Sequence, residues 1–208
     1  MFYKNIEEIF QACTDDFIRI IYSMPIPVCK FARAYFSKSF KDIASYGYCA
    51  SKKETYFGLK LNVLVTVDGF ISDFFLTSAN VDDRSAVFEL VENKASIKVI
   101  ADKGYIDENL KYQLENEKDI LLISLKRKNS KNPLEKQLRN VLSKTRRRAE
   151  TSFSQLAEQF NINKVLAKSK WGLMLRITLR ILAHNILFIV NNMLGNINVT
   201  QIKQLLFG

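Results

Sequence analysis

Residues 57–69 read Phe-Gly-Leu-Lys-Leu-Asn-Val-Leu-Val-Thr-Val-Asp-Gly, and they carry the clearest structural pattern in the chain. Apolar residues occupy every second position from Phe57 to Val67, which is the period of a β-strand with one buried face. Asp68-Gly69 then favours a tight hairpin turn, because glycine readily adopts the positive φ that such turns require. A second apolar run, residues 70–77, follows the turn. The pattern therefore predicts a half-buried strand and an antiparallel partner.

Strand and helix patterns alternate on either side of this hairpin. One strand is expected earlier, at residues 17–23, ended by Pro25 and Pro27. Residues 29–55 have no clear period. After the hairpin, a helix, a strand, a helix and a strand are expected at 82–93, 97–101, 107–117 and 119–125, with helix from about 134 onward. Because strands joined through helices are usually parallel, the sequence predicts an α/β fold with a mixed five-stranded sheet, in one domain over residues 1–208.

Positive charge is concentrated in one part of the chain. The 208 residues carry a formal net charge of +10, and residues 126–148 contain ten basic residues against one acid, Glu135. A basic run of this kind suits nucleic acid, an anionic surface or an acidic partner. The simpler alternative is a solvated face without a ligand.

Other features narrow the class of protein. Three scattered cysteines and one histidine give neither a disulfide framework nor a zinc site, which favours a reducing compartment. The most apolar helical pattern, residues 173–194, contains Arg176, Arg180 and His184 at four-residue spacing. This spacing predicts one polar stripe on a packed amphipathic helix rather than a membrane span.

Two carboxylates stand in positions typical of functional sites. Asp102 directly follows the strand predicted at 97–101, at the end where α/β sheets usually bind ligands. Glu150 follows three arginines on a helix and lies near the same face as Phe153. Each has a structural alternative, since Asp102 can cap the following turn and Glu150 can pair with Arg146. Together the two carboxylates suggest a metal site that faces a phosphate backbone.

Three motifs occur in the order found in a known family. They are Ser23-Met-Pro-Ile-Pro-Val-Cys29, Ala101-Asp-Lys-Gly-Tyr105 and Arg146-Arg-Arg-Ala-Glu-Thr151. On these motifs the chain resembles bacterial insertion-sequence transposases of the IS982 type, in the DDE superfamily. The resemblance implies a ribonuclease H-like fold with flanking helices and a helical C-terminal part. It also implies DNA cleavage and strand transfer with two Mg²⁺ (or Mn²⁺) ions, in a cytoplasmic, nucleoid-associated protein.

The resemblance assigns two of the family's three acids directly. Asp102 matches the second acid and Glu150 the third, so both are expected to be catalytic and to bind metal. The first acid stands immediately before the Ser-Met-Pro stretch, where this chain has Tyr22. A phenol is neutral at pH 7 and is a poor Mg²⁺ ligand. The sequence therefore predicts that transposase activity is absent or impaired.

DNA, as transposon ends and as target, is the partner that the resemblance implies. The residues expected to contact it are Lys103, Lys126, Arg127, Lys128, Arg146, Arg147 and Arg148. A homo-oligomer is also expected, and a membrane is not. The family's N-terminal recognition segment is expected to be largely absent, because the first strand begins near Phe17. Two alternatives remain open: a non-catalytic DNA-binding remnant and a ribonuclease H-like nuclease.

Overall fold

The computed structural model describes residues 17–37, 39–50, 52–124, 136–195 and 202. In this part of the chain, six strands form one mixed sheet and four α-helices pack against it. The strands are β1 (Ile18–Pro27), β2 (Ser45–Cys49), β3 (Glu54–Thr66), β4 (Ile71–Ser78), β5 (Lys98–Ala101) and β6 (Leu121–Ser124). The helices are α1 (Ser85–Leu90), α2 (Glu108–Lys118), α3 (Lys136–Glu158) and α4 (Lys170–Met193).

The long strand β3 organises the sheet. One of its edges pairs with β1 in antiparallel register, and its other edge pairs with β2 and β4, also antiparallel. Beyond β1 lie β5 and β6, both parallel to their neighbours. The predicted hairpin and the predicted parallel pair are therefore confirmed, but the expected number of five strands is wrong.

The sixth strand is β2, which falls in the segment without a clear period. Tyr46 and Tyr48 are exposed, and Gly47 lies between them. A Cβ atom on Gly47 would lie 2.7 Å from the Ala79 Cβ, so the residue must be small for the strand to approach so closely. A five-residue strand with a central glycine and two exposed rings lacks the apolar alternation that identifies a strand.

The first strand continues beyond its predicted end at Ser23, passes through Pro25 and ends at Pro27. Val28 N–H donates to the Phe57 carbonyl across the β1–β3 pair at 3.1 Å. Because successive residues of a strand point their backbone groups to opposite sides, Pro25 and Pro27 face away from β3. The described pairing of β1 with β5 covers only Ile18–Ile20. The prolines thus lie on an edge where no donor is needed, which is where sheets tolerate them.

Both faces of β3 are buried, so the prediction of a half-buried strand is also wrong. Val63 and Val65 join a core cluster with α3 and α4, whereas Leu64 joins a second cluster with α1 and α2. Asn62, on the second face, is also fully buried and donates to the Thr77 hydroxyl. The sheet is therefore the middle layer of three.

The helices depart from their predicted limits in two places. The helix α2 starts within a residue of its predicted limit, because the Asp107 carboxylate caps it. The helix α1 is shorter than 82–93. The continuous helix expected after residue 134 is interrupted at 159–169, where Asn161 and Leu166 have positive φ.

The predicted polar stripe of α4 stabilises this interruption. The Arg176 guanidinium donates to the carbonyls of Val165 and Leu166, and Arg180 donates to that of Asn161. His184, on the same helix, is 1% exposed. The two arginines of the stripe therefore bind the backbone of 159–169, and His184 is buried.

By length and composition alone, α4 would also suffice to cross a membrane. One of its faces nevertheless packs on the sheet through Leu173, Ile177 and Ile181. Asn185 on that helix binds both backbone groups of Ile71 on β4.

Candidate active site

The register of the parallel strands places Tyr22 beside Asp102. Ile20 on β1 pairs with Ile100 on β5, and both side chains pack against Leu142 of α3. Tyr22 and Asp102 each lie two residues further on, so they share the same face of the sheet. The first and second acid positions of the resemblance are therefore neighbours, at the point where β1 and β5 separate.

The helix α3 brings the third position to the same place. Arg146, Glu150 and Phe153 follow Leu142 at spacings that keep them on one face of the helix. The Phe153 ring packs on the Tyr22 ring, with centroids 4.6 Å apart. The side chains of Tyr22, Asp102 and Glu150 consequently converge from two strands and one helix.

Arg146 lies between these three side chains. Its Nη1 donates to Asp102 Oδ1 at 3.2 Å, and its Nε lies 3.1 Å from Glu150 Oε1. The second contact is an ion pair without the geometry of a hydrogen bond. The guanidinium carbon lies 6.0 Å from the centroid of the Tyr22 ring. One cation thus contacts both carboxylates and the phenol.

The local electrostatics keep Arg146 charged. Partial burial acts to lower its pKa, but hydrogen bonding with Tyr22 and the charges of Asp102 and Glu150 raise the pKa overall. The guanidinium therefore remains protonated at any physiological pH.

The structural alternatives for both carboxylates are also present. Asp102 Oδ1 accepts the Lys103 backbone N–H at 2.7 Å and so caps a short 3₁₀ turn. Glu150 forms the pair with Arg146 one turn earlier on α3. Neither role separates the carboxylates from each other, because both still contact the same guanidinium.

The described residues do not fit a site for two metal ions. Two carboxylates are available, Asp102 and Glu150, and the first acid position holds the Tyr22 phenol. No group of three or more Asp, Glu, His or Cys side chains suited to a metal exists in the described part of the chain. Both carboxylates also already have a cationic partner in Arg146.

The expected DNA contacts are described only in part. Lys103 and Arg147 are exposed, next to Asp102 and Arg146 respectively. Lys126, Arg127 and Lys128 lie outside the described residues, as does the side chain of Arg148.

A cleft of about 290 Å³ opens beside Asp102, and several of its residues were not expected from the sequence. Asp83 binds Lys60 Nζ at 2.6 Å and accepts from the Ser23 hydroxyl at 3.1 Å. Tyr105 is buried beside Ser23, and burial together with the charge of Asp83 raises the pKa of its phenol. The signal that points to this cleft is Lys60, a charged residue inside the alternating stretch 57–67.

Comparison with known proteins gives one finding. A family model described as a transposase DDE domain matches residues 12–170, which include Tyr22, Asp102 and Glu150. No match was found among curated proteins or among solved structures.

Proposed function

Because the chain belongs to the transposase DDE domain family, we propose that it acts on DNA, and that its cleavage and strand-transfer activity is impaired. The observation that carries the impairment is the convergence of Tyr22, Asp102 and Glu150 on Arg146. We assign the chain to the IS982 type and to the ribonuclease H-like fold. The strand arrangement supports the ribonuclease H-like fold, with β3 antiparallel to β1 and with β5 and β6 parallel to β1, whereas the assignment to the IS982 type rests on the sequence motifs.

Two properties of the site account for the impairment. Tyr22 brings no negative charge, so a divalent cation such as Mg²⁺ or Mn²⁺ would find one acid fewer than the family provides. The single positive charge of Arg146 contacts both remaining carboxylates and offsets half of their negative charge, so a metal would have to displace its guanidinium. A metal ion would compete with Arg146 for the same two carboxylates, and their ion pairs with Arg146 are already formed. We therefore expect the affinity of the site for a metal ion to be low.

The basic side chains around the site provide the DNA contact. Lys103 and Arg147 are exposed beside the two carboxylates, and neither has a described acidic partner. They would bind phosphate oxygens without reading sequence, so binding would weaken with rising salt.

A second copy of the chain is the other partner that we propose. The face of α4 opposite the sheet carries an apolar stripe, Leu175, Leu179, Leu182, Ile186, Val190 and Met193, all 37–73% exposed. The stripe runs from Leu175 to Met193, along about five turns of the helix. A stripe of this size and spacing suits a matching helix of a second copy.

Reversion of Tyr22 to an acid tests the proposed function. Tyr22→Asp restores a ligand next to Asp102. It should raise Mn²⁺-dependent nicking on the order of 100-fold, measured on DNA fragments that contain the sequences on either side of the gene. Tyr22→Phe is the matched control, because it keeps the ring on Phe153 and adds no charge. Adding Glu150→Gln to Tyr22→Asp should abolish the gain.

Product analysis separates the outcomes. Joined strands indicate a transposase, whereas hydrolysed ends alone indicate a nuclease. If the unaltered chain is as active as Tyr22→Asp, the impairment is contradicted. Mn²⁺ binding followed by electron paramagnetic resonance gives a second readout, and it should tighten only in Tyr22→Asp.

A further inference from the structure

The segment between the end of β1 and the end of β2 presents aromatic rings to solvent. Phe31, Tyr35, Phe36, Tyr46 and Tyr48 are each between 50% and 80% exposed. Such rings normally dominate cores and interfaces, where burial of their area is favourable. A cluster of exposed rings in one short segment therefore marks a binding surface. We call these five residues the aromatic surface.

The rings support one another. The centroids of Phe31 and Tyr46 lie 5.9 Å apart, edge to face, and those of Tyr35 and Phe36 lie 5.3 Å apart. Tyr46 also rests on the buried Phe57, with centroids 5.1 Å apart. Tyr46 and Tyr48 point to the same side of β2, since they are two residues apart on a strand. Four of the five rings thus have an aromatic neighbour, and all five remain at least half exposed.

Positive charges surround the aromatic surface. Among the described residues of this segment and of the turn after β2, the exposed basic ones are Lys30, Arg33, Lys41, Lys52 and Lys53. Only two acids lie in residues 28–54, and both have partners: Asp42 pairs with Lys170, and Glu54 lies 3.8 Å from Lys52. The excess of basic side chains attracts a polyanion.

The aromatic surface is continuous with the candidate active site. Tyr48 lines the same cleft as Tyr22 and Asp102. The cleft also adjoins the edge of β1 beyond Ile20, where no described strand pairs on the β5 side. A chain that lies on the rings can therefore reach the carboxylates without leaving the protein surface.

We propose that the aromatic surface stacks unpaired bases of a DNA single strand next to the candidate active site. Every base has a π-face that an exposed ring can cover, and lysines and arginines beside the rings hold the phosphates. Duplex DNA cannot use the rings in this way, because its bases are already stacked on each other. A protein partner fits less well, since lysine is depleted in protein interfaces. The inference rests on the proposed function, because it takes DNA as the ligand.

Fluorescence anisotropy of the full chain with two labelled probes tests this inference. The probes are oligothymidylate of about 20 nucleotides and a duplex of equal length, a size that covers one or two binding sites. The double substitution Tyr35→Ala and Phe36→Ala, and separately Tyr48→Ala, should each weaken single-strand binding roughly tenfold. Duplex binding should change less than about twofold, because it depends on phosphate contacts.

Three controls make the result specific. Tyr112→Ala removes a tyrosine that is 71% exposed on α2, outside the aromatic surface, and should leave both affinities unchanged. Tyr48→Phe and Phe36→Tyr keep the rings and should retain single-strand binding. Because Tyr35, Phe36 and Tyr48 are exposed, the alanine variants should keep the fold, and circular dichroism checks that they do.

The remaining outcomes contradict either this inference or the proposed function. Equal loss on both probes, or no loss on either, would overturn base stacking. A change in molar mass with unchanged DNA binding would show a protein contact instead and would also overturn it. If the unaltered chain binds neither probe, the proposed function itself fails. If the unaltered chain binds duplex DNA, and the alanine variants bind the single strand as tightly as the unaltered chain, only the stacking inference fails.

Discussion

Arg146 connects all parts of the candidate site. Its guanidinium contacts carboxylates from β5 and α3 and the ring from β1, so it holds three elements in one arrangement. A site with three acids around the same point would carry one more negative charge and would favour a divalent cation over a single guanidinium. If Tyr22 stands at an acid position, as we propose, its neutral ring shifts that balance toward the arginine.

The buried residue His184 makes the free energy of unfolding depend on pH. Burial lowers the pKa of its imidazole to about 4, against about 6.5 in an unfolded chain. Its hydrogen bond with Asn185 opposes this shift only in part. Below about pH 6.5 the unfolded chain binds a proton that the folded chain does not. The free energy of unfolding should therefore fall by about 2 kcal/mol between pH 7 and pH 4.5 through this group alone.

Urea denaturation at these two pH values measures the effect. The variant His184→Leu carries no imidazole, so its loss of stability between pH 7 and pH 4.5 should be smaller by that amount. The loss of stability between the two pH values is compared for the chain and the variant. The contribution of the carboxylates cancels in this comparison, because both proteins contain the same carboxylates. An equal loss of stability in the chain and the variant would show that His184 has the same pKa in the folded and unfolded states.

Among the contacts between elements, the one between α4 and β4 is expected to matter most for stability. The Asn185 side chain accepts the Ile71 N–H at 3.1 Å and donates to the Ile71 carbonyl at 2.8 Å, as a neighbouring strand would. Asn185→Ala leaves both backbone groups buried without this partner and should cost about 2–4 kcal/mol. Urea midpoints measure this loss. Asn192→Ala, at an exposed position of the same helix, should cost less than about 0.5 kcal/mol.

The elements that were predictable are those whose pattern is local. The alternation in 57–67, the glycine turn at Gly69 and the cap at Asp107 each act within a few residues, and β3, β4 and α2 follow them. The prolines of β1 led to a predicted strand end that is too early. A strand tolerates a proline where no neighbouring strand needs its backbone N–H, and the position of neighbouring strands is a property of the whole sheet. The break at 159–169 has local signals in Asn161, which takes positive φ, and in Ser169, whose hydroxyl caps α4, and guanidinium groups of α4 also hold it.

The candidate site was predictable only as far as the sheet order determines it. Parallel pairing of β1 with β5 brings Tyr22 beside Asp102, and the helical spacing after Leu142 brings Glu150 above them. The position of Arg146 between the carboxylates arises from packing of α3 on the sheet, which no sequence spacing specifies. The cleft residues Lys60 and Asp83 come from separate elements and meet only in the folded chain.

On the scale of the whole molecule, the apolar stripe of α4 is the longest exposed apolar helix face among the described residues, and it needs a partner. Its residues recur at spacings of three and four, as in helices that pack side by side. The charged residues of α4 that border it, Arg176 and Arg180, bind the backbone of 159–169 instead of facing the stripe. Two copies, each with a net charge of +10, can therefore meet along the stripe without placing like charges opposite one another.

Molar mass in solution tests the partnership. Light scattering should give twice the 24.0 kDa of one chain, and the double substitution Leu179→Lys and Leu182→Lys should give the single mass, because lysines would then face lysines. Asn192→Lys adds the same kind of charge away from the stripe and should keep the double mass. A chain that is monomeric at all concentrations, but binds vesicles through the stripe, would show that lipid rather than a second copy covers α4. The molar mass therefore has to be measured in the absence and in the presence of vesicles. Both explanations require the apolar stripe to be buried, and they differ in whether a second copy or a lipid surface buries it.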